Sequence, residues 1–528
     1  MTWIRALGAQ VEETAEILGG KAHGLVLLHR LGLRVPPGFV VTTGACRAFL
    51  RAGRLPEGLD TELTAAVAGL ERSTGRVFGG PRTPLAVSVR SGAGVSMPGM
   101  MSTILNLGLT TGATAGLAEE TGDRAFAEDA RRRFLSSFTS AVTGAGTADE
   151  PGGGGTGCAR PVPDDPNRQL EQAVRAVFSS WNTPRAQTYR TVHGLPHDRG
   201  TAVIVQAMVF GNRDDHSGSG VAFSRDPNTG EKIPFGEVLF RRQGDDVVSG
   251  RSTTRPLRAL AAREPAVWTA LLDALTRIEG HYRDACYVEF TYEAGELWIL
   301  QVRPGRFVGG AAIRVATELA DERVIGRHEA LLRVSPRQLR HARTPRIASG
   351  EEADVLARGI GACPGVAVGR VATSADTAVR MARDSPVILV RPETSPDDMH
   401  GLAAAAGIVT ARGGPASHAA VVARAMGKPA VVGVAGLTFG IDGGDGSVRC
   451  DGRGIGDGTL ITLDGTSGEV ALGRPRVVTD AAGEHLRRLL AWADDVSGDH
   501  RERDESRRLE AAHAVLRPTP AHPNPTVP

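Results

Sequence analysis

Around residue 340 the chain changes texture, and that change divides any fold it can adopt. Before it, helical patterns mix with β-rich runs such as PLAVSVR (84–90), AVIVQAMVF (202–210) and CYVEFTYEAGELWILQVR (286–303). From 357 to 475 come short valine-rich strands, many glycines and one alanine-rich helix. Between them a polar stretch carrying Pro345 reads as an interdomain linker. One hydrophobic core does not serve 528 residues, so about two to four domains are expected. The spans are 1–338, a linker at 339–356, a compact unit at 357–475, and 476–528. That last span reads as a charged amphipathic helix (about 479–496), an Arg/Glu-rich stretch and a disordered tail, PTPAHPNPTVP, that cannot continue a helix.

A net charge of +2 gives no global field for nucleic acid or a membrane surface, and neither is expected as a partner. The five cysteines are scattered, odd in number and form no CxxC pair, which argues for a reducing compartment and against a disulfide framework or zinc site. With no secretory start and no long apolar run, a cytoplasmic protein is expected. Among 61 basic residues only Lys21, Lys232 and Lys428 are lysines. A retained lysine asks for a reason, such as a compact charge that a planar guanidinium does not replace. Lys21, after Gly19-Gly20, is the better candidate. PGGGGTGCARPVPDDP (151–166) reads as a flexible surface loop.

The segment SVRSGAGVSMPGMMSTILNLGL, from Ser88, follows a strand and holds Gly92, Gly94 and Gly99. Glycines let backbone N–H groups approach a polyphosphate, and Arg90 can grip one bidentately. The run 286–303 reads as two alternating strands joined at Glu293-Ala294-Gly295. Glu289 and Gln301 carry oxygens suited to magnesium, and Arg303 shares a strand face with Gln301. By spacing alone, Glu289 and Arg303 fit a cross-strand ion pair equally well.

TARGGPASHAAVVARAMGKPAVVG (410–433) reads as a strand, the glycine turn Gly413-Gly414 and a helix. Ser417 is its candidate N-cap, with His418 in the first turn. There the free N–H groups and helix dipole favour a phosphate on the imidazole and disfavour imidazolium.

GGKAHGLVLLHRLGLRVPPGFVVTT (19–43) resembles the opening of the nucleotide-binding domain of the pyruvate, phosphate dikinase family. The Ser88 segment, AVFSSWNTPRAQTYR (176–190), VQAMVFGNRDDHSGSGVAFSRDPNTGE (205–231) and ELWILQVR (296–303) are similar to it in the same order. The histidine segment and VILVRPETSPDDMHGL (387–402) resemble the family's phosphohistidine domain. The resemblance implies an α/β and α+β multidomain chain: an ATP-grasp domain followed by a swivelling β/β/α phosphohistidine domain. It implies ATP contacts at Lys21, Arg90, Arg133, Asp245, Asp246, Glu289, Gln301 and Arg303. Glu289 and Gln301 would hold Mg2+, and His418 would be phosphorylated. ATP and inorganic phosphate would enter; AMP and pyrophosphate would leave.

Four departures accompany the resemblance. The family's pyruvate-binding TIM barrel, about 250 residues, does not follow EHLRRLLAWADD (484–495), so transfer to pyruvate is expected to need a barrel protein in trans. The family's aspartate two residues before the metal-binding glutamate is Tyr287. A helical insert expected near 145–163 is replaced by the glycine-rich loop. The family's regulatory threonine is Ala416, which excludes phosphorylation control there. Two alternatives are a nucleotide-binding regulatory protein without turnover and a phosphotransferase for another small molecule.

Overall fold

The computed structural model describes residues 2–517 except 95–96, 98–99, 146–161, 193, 250–253, 306, 308, 341, 344, 349–353, 441–447, 451, 480–482 and 502–503. Two antiparallel sheets organise the first three hundred residues. The first runs in the order Ile4–Ala6, Gly38–Val41, Ala202–Ala207, Val87–Gly92, Thr103–Leu107. It is covered on both faces, which is why its strands read as unbroken apolar runs. Phe39, Val41, Val87, Val89, Val203 and Val205 face a core with Phe49, Phe134 and Phe178, from helices Thr43–Ala52, Arg124–Ala145 and Pro166–Ser180. Val40, Ala202 and Ile204 point the other way, into a core shared with the second sheet.

That second sheet runs Arg255–Pro256, Phe235–Phe240, Gly218–Phe223, Cys286–Glu293, Glu296–Pro304. Helix Gly20–Arg30 joins the two: Leu25, Val26 and Leu28 meet Val40 and Ile204 of the first sheet and Val288 and Val302 of the second. The hairpin expected at 286–303 is present. Ala294 and Gly295 close it with φ of 50° and 79°, the pair of positive values a type I′ turn requires. Its register sets Glu289 opposite Gln301 and Tyr287 opposite Arg303, so three candidate side chains and Tyr287 share one face.

The histidine segment belongs to an eight-stranded mixed sheet. Its order is Val355–Arg358, Glu469–Leu472, Leu460–Asp464, Val366–Ala372, Val387–Arg391, Gly407–Thr410, Ala430–Val432, Ile360–Cys363. The four strands from Val366 to Val432 run parallel, with crossover helices Ala375–Met381, Met399–Ala404 and His418–Met426.

Several sequence expectations need correction. The stretch read as a linker contains strand Pro345–Ile347, paired antiparallel with Val477–Thr479, and the start of strand Val355–Arg358. Ile347 is buried and its N–H donates to Asp464 at 3.0 Å, which anchors the strand. The Arg/Glu-rich stretch near the C-terminus is a second helix, Glu505–Leu516, beside helix Glu484–Ser497. Leu486, Leu489, Leu490, Ala493, Leu509 and Ala512, spaced three and four apart, pack on helices Gly309–Asp321 and Arg327–Arg333. Of the glycine-rich loop only 162–166 is described, and Pro166 already opens a helix capped by Asp165. Residues 151–161, the region of the expected insert replacement and the terminal run 518–528 lie outside the described residues.

Candidate active site

The first part of the site is built by backbone contact. Gly19 has φ 77°, and a Cβ there would lie 1.6 Å from the Gly92 carbonyl oxygen. Only a glycine permits that approach. Gly20 N–H donates to the Ala93 carbonyl at 3.0 Å. The helix thus starts against the Gly92–Gly94 segment; Gly92 is buried, Gly94 is exposed, and Gly99 lies outside the described residues.

Lys21, on the first turn, shares an electrostatic cluster with Arg90, Glu289 and Arg303. Burial, Arg90 and Arg303 push its ammonium down to about 8 against the opposing pull of Glu289. Arg90 donates to Gln206 and to the Leu300 carbonyl at 3.0 Å, and its Nε is buried without a partner. Arg303 Nη2 donates to Glu289 Oε1 at 2.9 Å. The Gln301 amide, turned to satisfy both its atoms, accepts from Arg303 Nε at 2.7 Å and Nη2 at 3.0 Å. Burial alone would raise the Glu289 carboxyl; Arg303, Lys21 and Arg90 outweigh it and hold it below the usual range. Of the two readings left open by spacing, the ion pair forms, and it forms inside a cluster of three cations around one carboxylate. Such a surplus of half-buried positive charge suits a polyanion.

Tyr287 has a place in this cluster that sequence reasoning did not assign. The Arg303 guanidinium lies 4.9 Å from its ring centroid, and its hydroxyl donates to Glu289 Oε1 at 3.4 Å. Arg133, Asp245 and Asp246 also come together, in a network of their own. Arg133 pairs with Asp246 at 3.0 Å, Asp245 at 3.3 Å and Asp129 at 2.8 Å.

His418 opens helix His418–Met426, beyond the C-terminal end of parallel strand Gly407–Thr410. Ser417 holds the N-cap backbone position (φ −61°, ψ 159°) but, against expectation, forms no capping bond; its buried Oγ has no hydrogen-bond partner. His418 Nδ1 and the Thr394 hydroxyl are 3.0 Å apart, while Nε2 is buried without a partner. Burial lowers the pKa of the ring, with Asp398 opposing. The imidazole is therefore neutral near pH 7, with one nitrogen oriented by a hydroxyl and the other unengaged.

The histidine loop lies against the second sheet. Glu237, from strand Phe235–Phe240, accepts the Ala416 N–H at 3.3 Å and the Thr254 hydroxyl. Gly414 presses so close that a Cβ there would fall 1.4 Å from Glu237 Oε1. Gly413, φ 98°, makes the turn before it. Asn228 Nδ2 donates to the Gly361 carbonyl at 3.0 Å, and Met399 packs beside Met97, Met100 and Trp181. Burial raises the pKa of Glu237 despite its donors and Arg424. Glu237 and Thr394 were missed in the sequence; the one available signal was a lone carboxylate in the otherwise apolar run FGEVLF. Among the described residues no group of three or more His, Cys, Asp or Glu is arranged to hold a metal, and no helix is long and apolar enough to cross a membrane.

Comparison with known proteins bears on this arrangement. The family model for the pyruvate phosphate dikinase AMP/ATP-binding domain matches residues 15–66 and 52–267. That for the mobile domain of PEP-utilising enzymes matches residues 383–468. The chain is 40% identical to a pyruvate, phosphate dikinase of Rhizobium meliloti (strain 1021), over 93% of this chain and 60% of that protein. It is 41% identical to pyruvate, phosphate dikinase 2 of Zea mays, over 91% of this chain and 58% of the relative. It thus spans 58–60% of the length of these relatives.

Proposed function

The chain belongs to the pyruvate, phosphate dikinase family, whose chemistry is ATP-dependent phosphotransfer, and on that premise we propose that it phosphorylates its own His418 from ATP. The observation that carries this reading is the seat of the histidine loop. Glu237 holds the Ala416 N–H, and Ala416 shares one buried cluster with Tyr287 of the strand that bears Glu289. This docking supports the reading because it places the loop that carries the nucleophile on the sheet that carries Glu289 and Arg303.

In this scheme Lys21, Arg90 and Arg303 hold the triphosphate through its non-bridging oxygens. The neutral His418 Nε2 gives its lone pair to the β-phosphorus. The bond from that phosphorus to the oxygen bridging to the α-phosphate breaks, and AMP leaves with the electron pair. Inorganic phosphate then attacks the outer phosphorus of the pyrophosphoryl group. Pyrophosphate departs and one phosphoryl group stays on the histidine. Thr394 orients the ring, and the helix N-terminus with the Ser417 hydroxyl stabilises the added charge. Glu289 and Gln301 fit Mg2+, a hard cation that takes one or two protein oxygens and completes its shell with phosphates and water. When bound, the ion neutralises charge on the transferring phosphates. Arg133, Asp245 and Asp246, joined by ion pairs, are further nucleotide contacts in this scheme. In this scheme the acceptor beyond His418 is pyruvate.

The test is incubation with magnesium and ATP labelled at the β-phosphate, with and without inorganic phosphate. Acid-labile label and AMP release that vanish in His418→Ala support the reading. A folded wild type that binds ATP and acquires no label overturns it in favour of a nucleotide-binding protein without turnover, the reading that Tyr287 at the carboxylate pair motivates.

A further inference from the structure

Tyr287 touches both halves of the site. Its ring face carries the Arg303 guanidinium at 4.9 Å, and its hydroxyl reaches Glu289. Its edge meets Phe223, centroids 4.9 Å apart and planes at 62°. With Phe223, Val221, Leu239 and Val247 it forms the buried apolar cluster that receives Ala416, two residues before His418. The Arg424 guanidinium, from the histidine helix, lies 5.6 Å from the Phe223 ring. Tyr287 is only 7% exposed, and burial together with the Glu289 charge keeps its phenol protonated. One ring therefore braces the Glu289–Arg303 pair and belongs to the cluster on which the histidine loop sits.

We propose that Tyr287 is a positioning residue that couples the Glu289–Arg303 pair to the seating of the loop carrying His418. Arg303 and Glu289 lie on its face and hydroxyl, Ala416 in its cluster; a polyphosphate that recruits the pair works against a fixed ring, and the loop closes on the same ring. Removing the ring leaves a void under Ala416 and frees Arg303. Removing only the hydroxyl keeps the seat. The proposal rests on the histidine-phosphorylation reading for its kinetic consequence, but the seating itself does not depend on turnover.

The experiment compares wild type, Tyr287→Phe, Tyr287→Ala and Ala416→Leu, all full length, by two readouts. The first is hydrogen–deuterium exchange of the peptide spanning 411–421 without nucleotide. Exchange about tenfold faster in Tyr287→Ala and Ala416→Leu, with Tyr287→Phe like wild type, is expected for a loop that loses its seat. The second is His418 labelling at saturating ATP alongside ATP affinity. Labelling slowed about 10- to 100-fold in the same two variants, the cost of a misplaced nucleophile, is expected, with affinity in Ala416→Leu unchanged. Unchanged exchange in both variants overturns the proposal. Failure of Tyr287→Phe to retain the wild-type exchange also overturns it, because the ring would then not be the seat. Ala416→Leu approaches the contact from the opposite side, so misfolding of Tyr287→Ala alone does not decide the outcome. If wild type takes no label, the phosphorylation reading falls, and the exchange arm still judges the seating.

Discussion

Arg303 donates to Glu289 at 2.9 Å diagonally across a hairpin in which Glu289 faces Gln301 and Arg303 faces Tyr287. Among the described residues, this carboxylate is the anion that Lys21, Arg90 and Arg303 share. Replacing Glu289 by Gln leaves three cations without their shared counter-charge. A loss of about 2 kcal/mol is expected, below the 3–5 of a fully buried pair, because the two side chains are 24% and 32% exposed and solvent screens part of the cost. Denaturant melts measure it. Inorganic triphosphate should return much of the loss by supplying the missing charge; an indifferent midpoint would speak against mutual repulsion in the cluster.

Lys21 gives a pH signature. Its ammonium titrates near 8 in the free protein, and a bound triphosphate favours the charged form, so its pKa rises on binding. ATP binding above pH 8 should therefore take up a proton, and affinity should be flat below about pH 8 and fall above it, by up to tenfold per pH unit. Calorimetry in buffers of different ionisation enthalpy reads the uptake, and Lys21→Met should abolish it.

Gly414 tests the docking geometry. In Gly414→Ala the new methyl meets the Glu237 carboxylate, so the loop must lift. ATP binding should persist while His418 labelling falls about 100-fold. Adding Glu237→Ala makes room, and the double variant should label faster than Gly414→Ala alone. Strict additivity in that cycle would remove the steric explanation.

For His418 the sign is set by burial, which lowers its folded pKa below 6.5. Below 6.5 the unfolded chain binds a proton that the folded ring resists, so this residue costs stability as pH falls through 6.5 toward the folded value, and contributes nothing above. The neutral nucleophile should also persist to lower pH than free imidazole. Labelling rate against pH, with an acid limb below 6.5, checks this; a limb at or above 6.5 contradicts it.

How much was legible follows from the range of each interaction. The hairpin was, because alternation over 286–303 and the Ala294-Gly295 turn are local. The strand, paired glycines and helix around His418 were legible for the same reason. Ala416 N–H to Glu237 was not: its partners are 179 residues apart in sequence, and nothing near either foretells the other. The first C-terminal helix was legible, but the second was missed because charge in RERDESRRLEAAHAVL drew more weight than the spacing of Leu509 and Ala512, which decides burial. Tyr287 was recognisable as a departure but not as a floor, since its role comes from strands and a loop that only folding brings together.

The pairing of Pro345–Ile347 with Val477–Thr479 has a mechanical consequence. The eight-stranded sheet lies between these two strands in the chain, so both its entry and its exit pass through one ladder. Beyond them the chain returns to helices Gly309–Asp321 and Arg327–Arg333 through the packing of Leu489 and Leu509. A unit fastened this way is a pendant on a double-stranded stem rather than a bead on a string. Slack in one connector of such a stem is checked by the other. Any swing of such a unit would carry the imidazole on an arc whose radius the stem limits.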